Sequence, residues 1–203
     1  MDLEAFDPCY ISTSSGNGLR HQVLELFQNH CLDCVSQGKP RCCFEEELTV
    51  FFPDEWKQIE IKSHPLQLKL KKRILNMAAS GTVHLAVCER CLFHNPKGCQ
   101  MKISHRPLDC ITYPVYPMIE FVSEEKRLVG MMIHKKCKSV DKIIQDTKLI
   151  SVLKKLWNKE IAPRPQQEIK DWFNGIKKDE YLLLWLNKLT ISLLKHQENK
   201  NLL

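Results

Sequence analysis

The chain has 203 residues, of which 43% are apolar, and it carries 30 basic against 24 acidic side chains for a formal charge of +6. That is enough apolar material for one sizeable core without help from disulfides. Its longest apolar stretch, Tyr181 to Leu186, is too short to cross a bilayer. The basic residues are spread among acidic ones, so the charge speaks for a solvated face rather than for nucleic acid.

Residues 1–18 are polar, end in Ser-Thr-Ser-Ser-Gly-Asn-Gly, and read as a loose arm containing Cys9; no basic and then apolar leader pattern opens them. Leu19, Val23 and Leu26 recur at helical spacing and predict a helix that delivers the chain into Cys31. Leu48 to Phe52 is β-prone, and Pro53-Asp54-Glu55 suits the first turn of a short helix carrying Trp56 and Ile59. Leu66, Leu70, Ile74 and Met77 line one face of an expected helix from Pro65 to Ser80, with Gly81 as its stop and Lys69, Lys71, Lys72 and Arg73 on its solvated side.

Val83, Leu85 and Val87 alternate as in a strand, and Met118 to Val122 with Leu128 to Ile133 form an expected hairpin ending near Cys137. Ser139 to Trp157 reads as one helix, broken by Ala162-Pro163-Arg164-Pro165. Helices over Gln166 to Asn174 and Asp179 to about His196 complete the chain, the last with Leu182, Leu186, Leu189 and Leu193 along one stripe. The expected fold is α+β: a small, irregular, metal-nucleated module at 19–138 and C-terminal helices at 139–203 packing on it as one domain.

Ten cysteines in a chain without an evident leader are expected in the cytoplasm, where thiols stay reduced and a dense Cys pattern points to metal. Cys31-Leu-Asp-Cys34 followed by Cys42-Cys43 places four of them within thirteen residues. A C-x2-C pair suits two thiolates on one ion, whereas neighbouring side chains in extended backbone point apart, so Cys42 and Cys43 suit two metals or different atoms of a cluster. Pairing Cys31 and Cys34 with Cys88 and Cys91 would give a zinc ribbon, but one interrupted by a helix and leaving Cys42, Cys43, Cys99 and Cys110 unexplained. His30, His94 and His105 each stand close to a cysteine. With so many thiols at hand, they are read as non-ligands.

From Cys91 the chain continues through Cys99 to Arg106-Pro107-Leu-Asp-Cys110 and the step Tyr113-Pro114. Together with Cys31, Cys34, Cys42 and Cys43, this resembles the YkgJ-type cysteine-cluster family, described as zinc- or iron-chelating. The resemblance covers Cys31 to Cys137, and its departure is the seven-residue gap between Cys34 and Cys42. It implies Cys31, Cys34, Cys42, Cys43, Cys91, Cys99, Cys110 and Cys137 as metal ligands, with no counterpart for Cys9 or Cys88. The implied cofactor is zinc, iron or an Fe–S cluster. Arg106 could then hydrogen-bond a cluster sulfur or a carbonyl while Pro107 stiffens the turn presenting Cys110. The resemblance extends to domains of a flagellin lysine methylase, which implies redox or protein-modification chemistry as one role. A structural zinc module binding a protein or RNA through Lys69 to Arg73, and metal storage or delivery, are the others. No phosphate loop, H-E-x-x-H helix or G-x-S-x-G elbow occurs.

Overall fold

The computed structural model describes residues 18–36, 48–62, 69, 71–86, 92–95, 98–99, 101–122, 125–135, 137–176, 181–187 and 190–194. Helix α1 (Leu19–Ser36) buries Val23, Leu24 and Phe27, the spacing expected of an amphipathic helix. It runs past His30, so the backbone of Cys31 and Cys34 belongs to its last turns rather than to a following turn.

Strand β1 (Leu48–Phe51) and helix α2 (Pro53–Lys62) form where their sequence signals place them. Pro53 costs nothing at a first helical position, because that N–H has no intrahelical partner anyway. Glu55, three residues on from Phe52, accepts the Phe52 N–H at 3.0 Å as the glutamate of a capping box does.

The helix expected over Pro65 to Ser80 is corrected by strand β2 (Ile74–Met77), which pairs with β3 (Val83–Ala86) in a sheet ordered β1-β3-β2. Positions 69 and 71 are helical, while 63–68 and 70 lie outside the described residues. Gly81 therefore does not stop a helix but turns the β2–β3 hairpin, at φ 87°, a conformation that side chains with a Cβ rarely adopt. Beyond β3, β4 (His94–Asn95) pairs with β5 (Gly98–Cys99). A 3-10 turn at Ile103–His105 leads into helix α3 (Leu108–Thr112).

The expected hairpin is present and longer than its apolar runs, as β6 (Val115–Val122) and β7 (Glu125–His134). The single helix expected over Ser139 to Trp157 is two, α4 (Val140–Gln145) and α5 (Thr147–Glu160). Asp146 separates them because its carboxylate caps α5, accepting the Leu149 N–H at 2.9 Å. Helix α6 (Gln166–Asn174) follows the proline break as expected.

The last expected helix is also corrected. Strands β8 (Tyr181–Asn187) and β9 (Thr190–Leu194) extend the hairpin into a four-stranded antiparallel sheet ordered β6-β7-β8-β9, with His134 opposite Tyr181. No helix among the described residues is long and apolar enough to cross a membrane.

Two buried clusters meet at β1. Val50 and Phe52 enter the large one with α1, α3, the β6–β7 hairpin, α5 and α6, whereas Phe51 joins Trp56, Ile59, Val83, Leu85 and Phe93 in the small one. This is the alternation of a strand with both faces covered. Close approach at the divider requires Gly175, since a Cβ there would sit 2.6 Å from Val50. Phe52 stacks on Trp172 at 5.4 Å, and the Arg164 guanidinium lies 3.8 Å over the Phe52 ring.

Candidate metal centre

Of the eight proposed ligands, Cys110 and Cys137 are described with their side chains, and both are half-buried. Cys31 and Cys34 are placed by backbone at the end of α1, and Cys99 by backbone in β5 opposite His94. Cys42, Cys43 and Cys91 lie outside the described residues, as do Cys9 and Cys88. Among the described residues no three His, Cys, Asp or Glu side chains form a group that could hold a metal ion.

The carriers of the described cysteines are held firmly. Four of the five α3 residues, Leu108, Asp109, Ile111 and Thr112, are buried, and Cys110 is the one that retains access. The first N–H of the helix, at Leu108, donates to Glu55 Oε1 at 2.8 Å, so a side chain of α2 caps α3. Asp109 is buried and accepts the Val50 N–H at 3.0 Å and the Tyr116 hydroxyl at 2.5 Å, tying α3 to β1 and β6. Burial, and next the charge of Asp109, push the Tyr116 hydroxyl well above its ordinary range, so it stays a donor.

Arg106 is buried, at 3% exposed. Its Nε donates to the Met101 carbonyl at 3.1 Å, closing the loop before Pro107, and its own carbonyl accepts from Arg20 at 2.5 Å. Arg20 also holds Glu160, its Nε and Nη2 donating to the two oxygens of that carboxylate at 2.8 and 2.5 Å, and reaches Glu55 at 3.3 Å. Burial pushes the Glu55 carboxyl up to about 7 against the opposing pull of Arg20 and of the Phe52 and Leu108 amides. An open cleft of roughly 660 Å³ adjoins this network, lined by Arg20, Lys57, Lys159 and Arg164 and by the carboxylates Asp54, Glu160 and Glu168.

Cys137 follows β7 in a tight turn, its N–H bonding the His134 carbonyl at 3.0 Å, and it packs against the large cluster. Two bonds fasten this turn to the other carriers. The His134 N–H donates to the Pro114 carbonyl at 3.0 Å, joining the exit from α3 to the end of β7. Ser139 Oγ donates to the His30 carbonyl at 2.7 Å, seating the turn on α1 one residue before Cys31. The elements bearing Cys31, Cys34, Cys110 and Cys137 are thus adjacent, with α1 also packed on α3.

Sequence reasoning did not find the residues that hold these segments in place. Glu55 had a local signal, its place in the first turn after Pro53, but neither Asp109 nor the pairing of His30 with Asp146 at 2.8 Å had one. Comparison with family models, curated proteins and solved structures returned no match. The likeness to the cysteine-cluster family therefore rests on the motif residues alone.

Proposed function

We propose that the chain is a cysteine-cluster metal protein holding zinc or an iron centre, including an Fe–S cluster, in the manner its motif resemblance implies. The observation that carries this reading is the pair of bonds from Ser139 to His30 and from His134 to Pro114, which brings the segments of Cys31, Cys34, Cys110 and Cys137 to one end of the β6–β7 hairpin. The donor set fits such a group: thiolates are soft and select zinc, Cu(I) or Fe–S over magnesium or calcium. Eight of them serve two four-ligand sites or one larger centre. When bound, the group supplies either structural cross-linking or one-electron chemistry.

The chain's own residues supply the frame. Asp109, Glu55 and Arg106 fix the backbone that presents Cys110, and Ser139 fixes the turn that presents Cys137. A second reading, zinc as a structural element of a partner-binding protein, draws on the exposure of Lys69, Lys71 and Lys72 close to Leu75 and Met77, which are 64% and 54% exposed. The distinguishing experiment is purification without oxygen, with zinc and iron counted per chain and the visible spectrum recorded for the wild type, Cys110→Ser, Cys137→Ser and Cys88→Ser. Iron or zinc lost in the first two variants and kept in the third is expected. Metal lost with Cys88→Ser would move the site to the ribbon pairing, and a metal-free wild type would end the proposal.

A further inference from the structure

Basic and acidic residues are mixed along most of this chain, yet the excess is local. The stretch from Ile61 to Cys88 holds Lys62, Lys69, Lys71, Lys72 and Arg73 and no acidic residue, so it contributes five of the net six positive charges. Lys69, Lys71 and Lys72 are exposed and lead directly into β2. Leu75 and Met77 of that strand are the most exposed large apolar side chains among the described residues.

β2 is also an open edge. Among the described residues it pairs with β3 alone. Ala78 donates its N–H to the Thr82 carbonyl at 2.9 Å. Because antiparallel pairs alternate, Asn76 turns its main chain toward His84, and Met77 between them turns its N–H and C=O away from β3. The opposite edge of the sheet is sealed by comparison, since the Val50 N–H of β1 donates to the Asp109 carboxylate at 3.0 Å. Lysines and bulges commonly guard an edge against a like copy, and β2 has both, its bulge lying between Ile74 and Asn76. A guard alone would not set Leu75 and Met77 on the outside, beside the small cluster that Ile74 joins. A nucleic acid would meet the lysines, but it offers no row of alternating N–H and C=O groups. Outward main-chain groups, exposed apolar side chains and unbalanced positive charge together suit the addition of a peptide strand.

We infer that β2 is the docking edge for an extended acidic segment of a partner protein. The segment lies beside β2 as an added strand, its apolar side chains covering Leu75 and Met77 and its carboxylates meeting Lys69, Lys71 and Lys72. This rests on the partner-binding reading given second above and on no particular metal.

The probe is a fluorescein-labelled peptide of alternating Glu and Val, whose anisotropy is followed with the full chain as purified while zinc and iron are counted in the same samples. Two further probes are a Glu and Pro peptide of equal length and charge, in which every second N–H is missing, and a labelled single-stranded oligothymidylate. The wild type is expected to bind the first peptide about 10-fold more tightly than either of the others, and added salt to weaken it. Lys69→Glu, Lys71→Glu and Lys72→Glu combined in one chain are expected to weaken binding by about 10-fold or more, and Leu75→Asp alone by about 10-fold. These four side chains are exposed, so the fold is expected to survive both changes. Met77→Pro removes the outward N–H at an edge position, where proline is tolerated, and is expected to lose binding that Met77→Leu keeps.

Equal binding of the Glu and Pro peptide would overturn strand addition and leave a charge-driven partner site standing. Tighter binding of the oligonucleotide would overturn it in favour of nucleic acid. A wild type that dimerises in sedimentation, and loses the dimer in Leu75→Asp, would assign the edge to a second copy and overturn it too. No binding by a wild type that holds its metal overturns the inference and leaves the metal reading in place, whereas binding by a metal-free chain removes that reading and supports this one.

Discussion

The two hydrophobic clusters on either side of β1 are built in different ways. The large one draws on α1, α3, β6, β7, α5 and α6 and contains Trp157 and Trp172, both almost fully buried. Among the described residues the small one has six buried members, Phe51, Trp56, Ile59, Val83, Leu85 and Phe93, and the last of these lies between Cys91 and Cys99. At about 1.5–3 kcal/mol for each large side chain buried, six residues offset the ordering of only a short length of backbone. A stable large core beside a thin one is the situation in which ligand bonds add most, because they fix a region that burial alone holds weakly.

On the metal-centre reading proposed above, the strongest way to break this contrast is to remove the metal. Structural zinc contributes an apparent ~10–16 kcal/mol in small zinc-finger peptides, so chelation should raise hydrogen exchange sharply at Val83 to Ala86 and leave Leu153 to Trp157 protected. Equal exchange in both would mean that the small cluster needs no metal. Next in size are paired truncations: Leu153→Ala in the large core should cost about 3–5 kcal/mol by denaturant unfolding, and Ile59→Ala nearer 2 kcal/mol, where the thinner packing relaxes into the space. A larger cost at Ile59 would reverse the ranking.

The smallest effect sharpens the hinge between the clusters, where Glu55 caps both α2 and α3. Its folded carboxyl titrates near 7 against an unfolded value of 4.5. The folded state thus binds the proton more tightly, and this contribution is complete below pH 4.5 and lost as pH rises through 7. The facing charges are Arg20, Glu160 and Arg164. Stability should fall by ~3 kcal/mol between pH 4.5 and 7, and Glu55→Gln should flatten that slope. A slope that survives the substitution would assign it to other groups.

The elements that sequence alone reveals are those whose apolar spacing has a single interpretation. α1, α2, α6 and the β6–β7 hairpin fall in that class, and so does the proline break after α5. Tyr181 to Leu186 does not: in an unbroken apolar run the periods of 2 and 3.6 both fit, and only the open edge of β7 selects a strand. Ile74 and Met77 are likewise three apart, a helical spacing, yet they lie on β2, paired with β3. For the site, cysteine identity and order are visible along the chain, whereas the residues that hold their carriers are not. Asp109 meets Val50 across 59 positions and His30 meets Asp146 across 116, and no local pattern encodes such choices.

Arg20 gathers Glu160, the Arg106 carbonyl and Glu55 from 140, 86 and 35 positions away. As the chain emerges from a ribosome at about 5–20 residues per second, that guanidinium waits on the order of ten seconds for its last partner. For most of the wait Cys31, Cys34, Cys42 and Cys43 are already made, and α1, which carries the first two, has no closed fold to join. On the metal-centre reading, the order of synthesis opens a loading window in which ions or a delivery factor would meet the first thiols before α5 and its Glu160 are made.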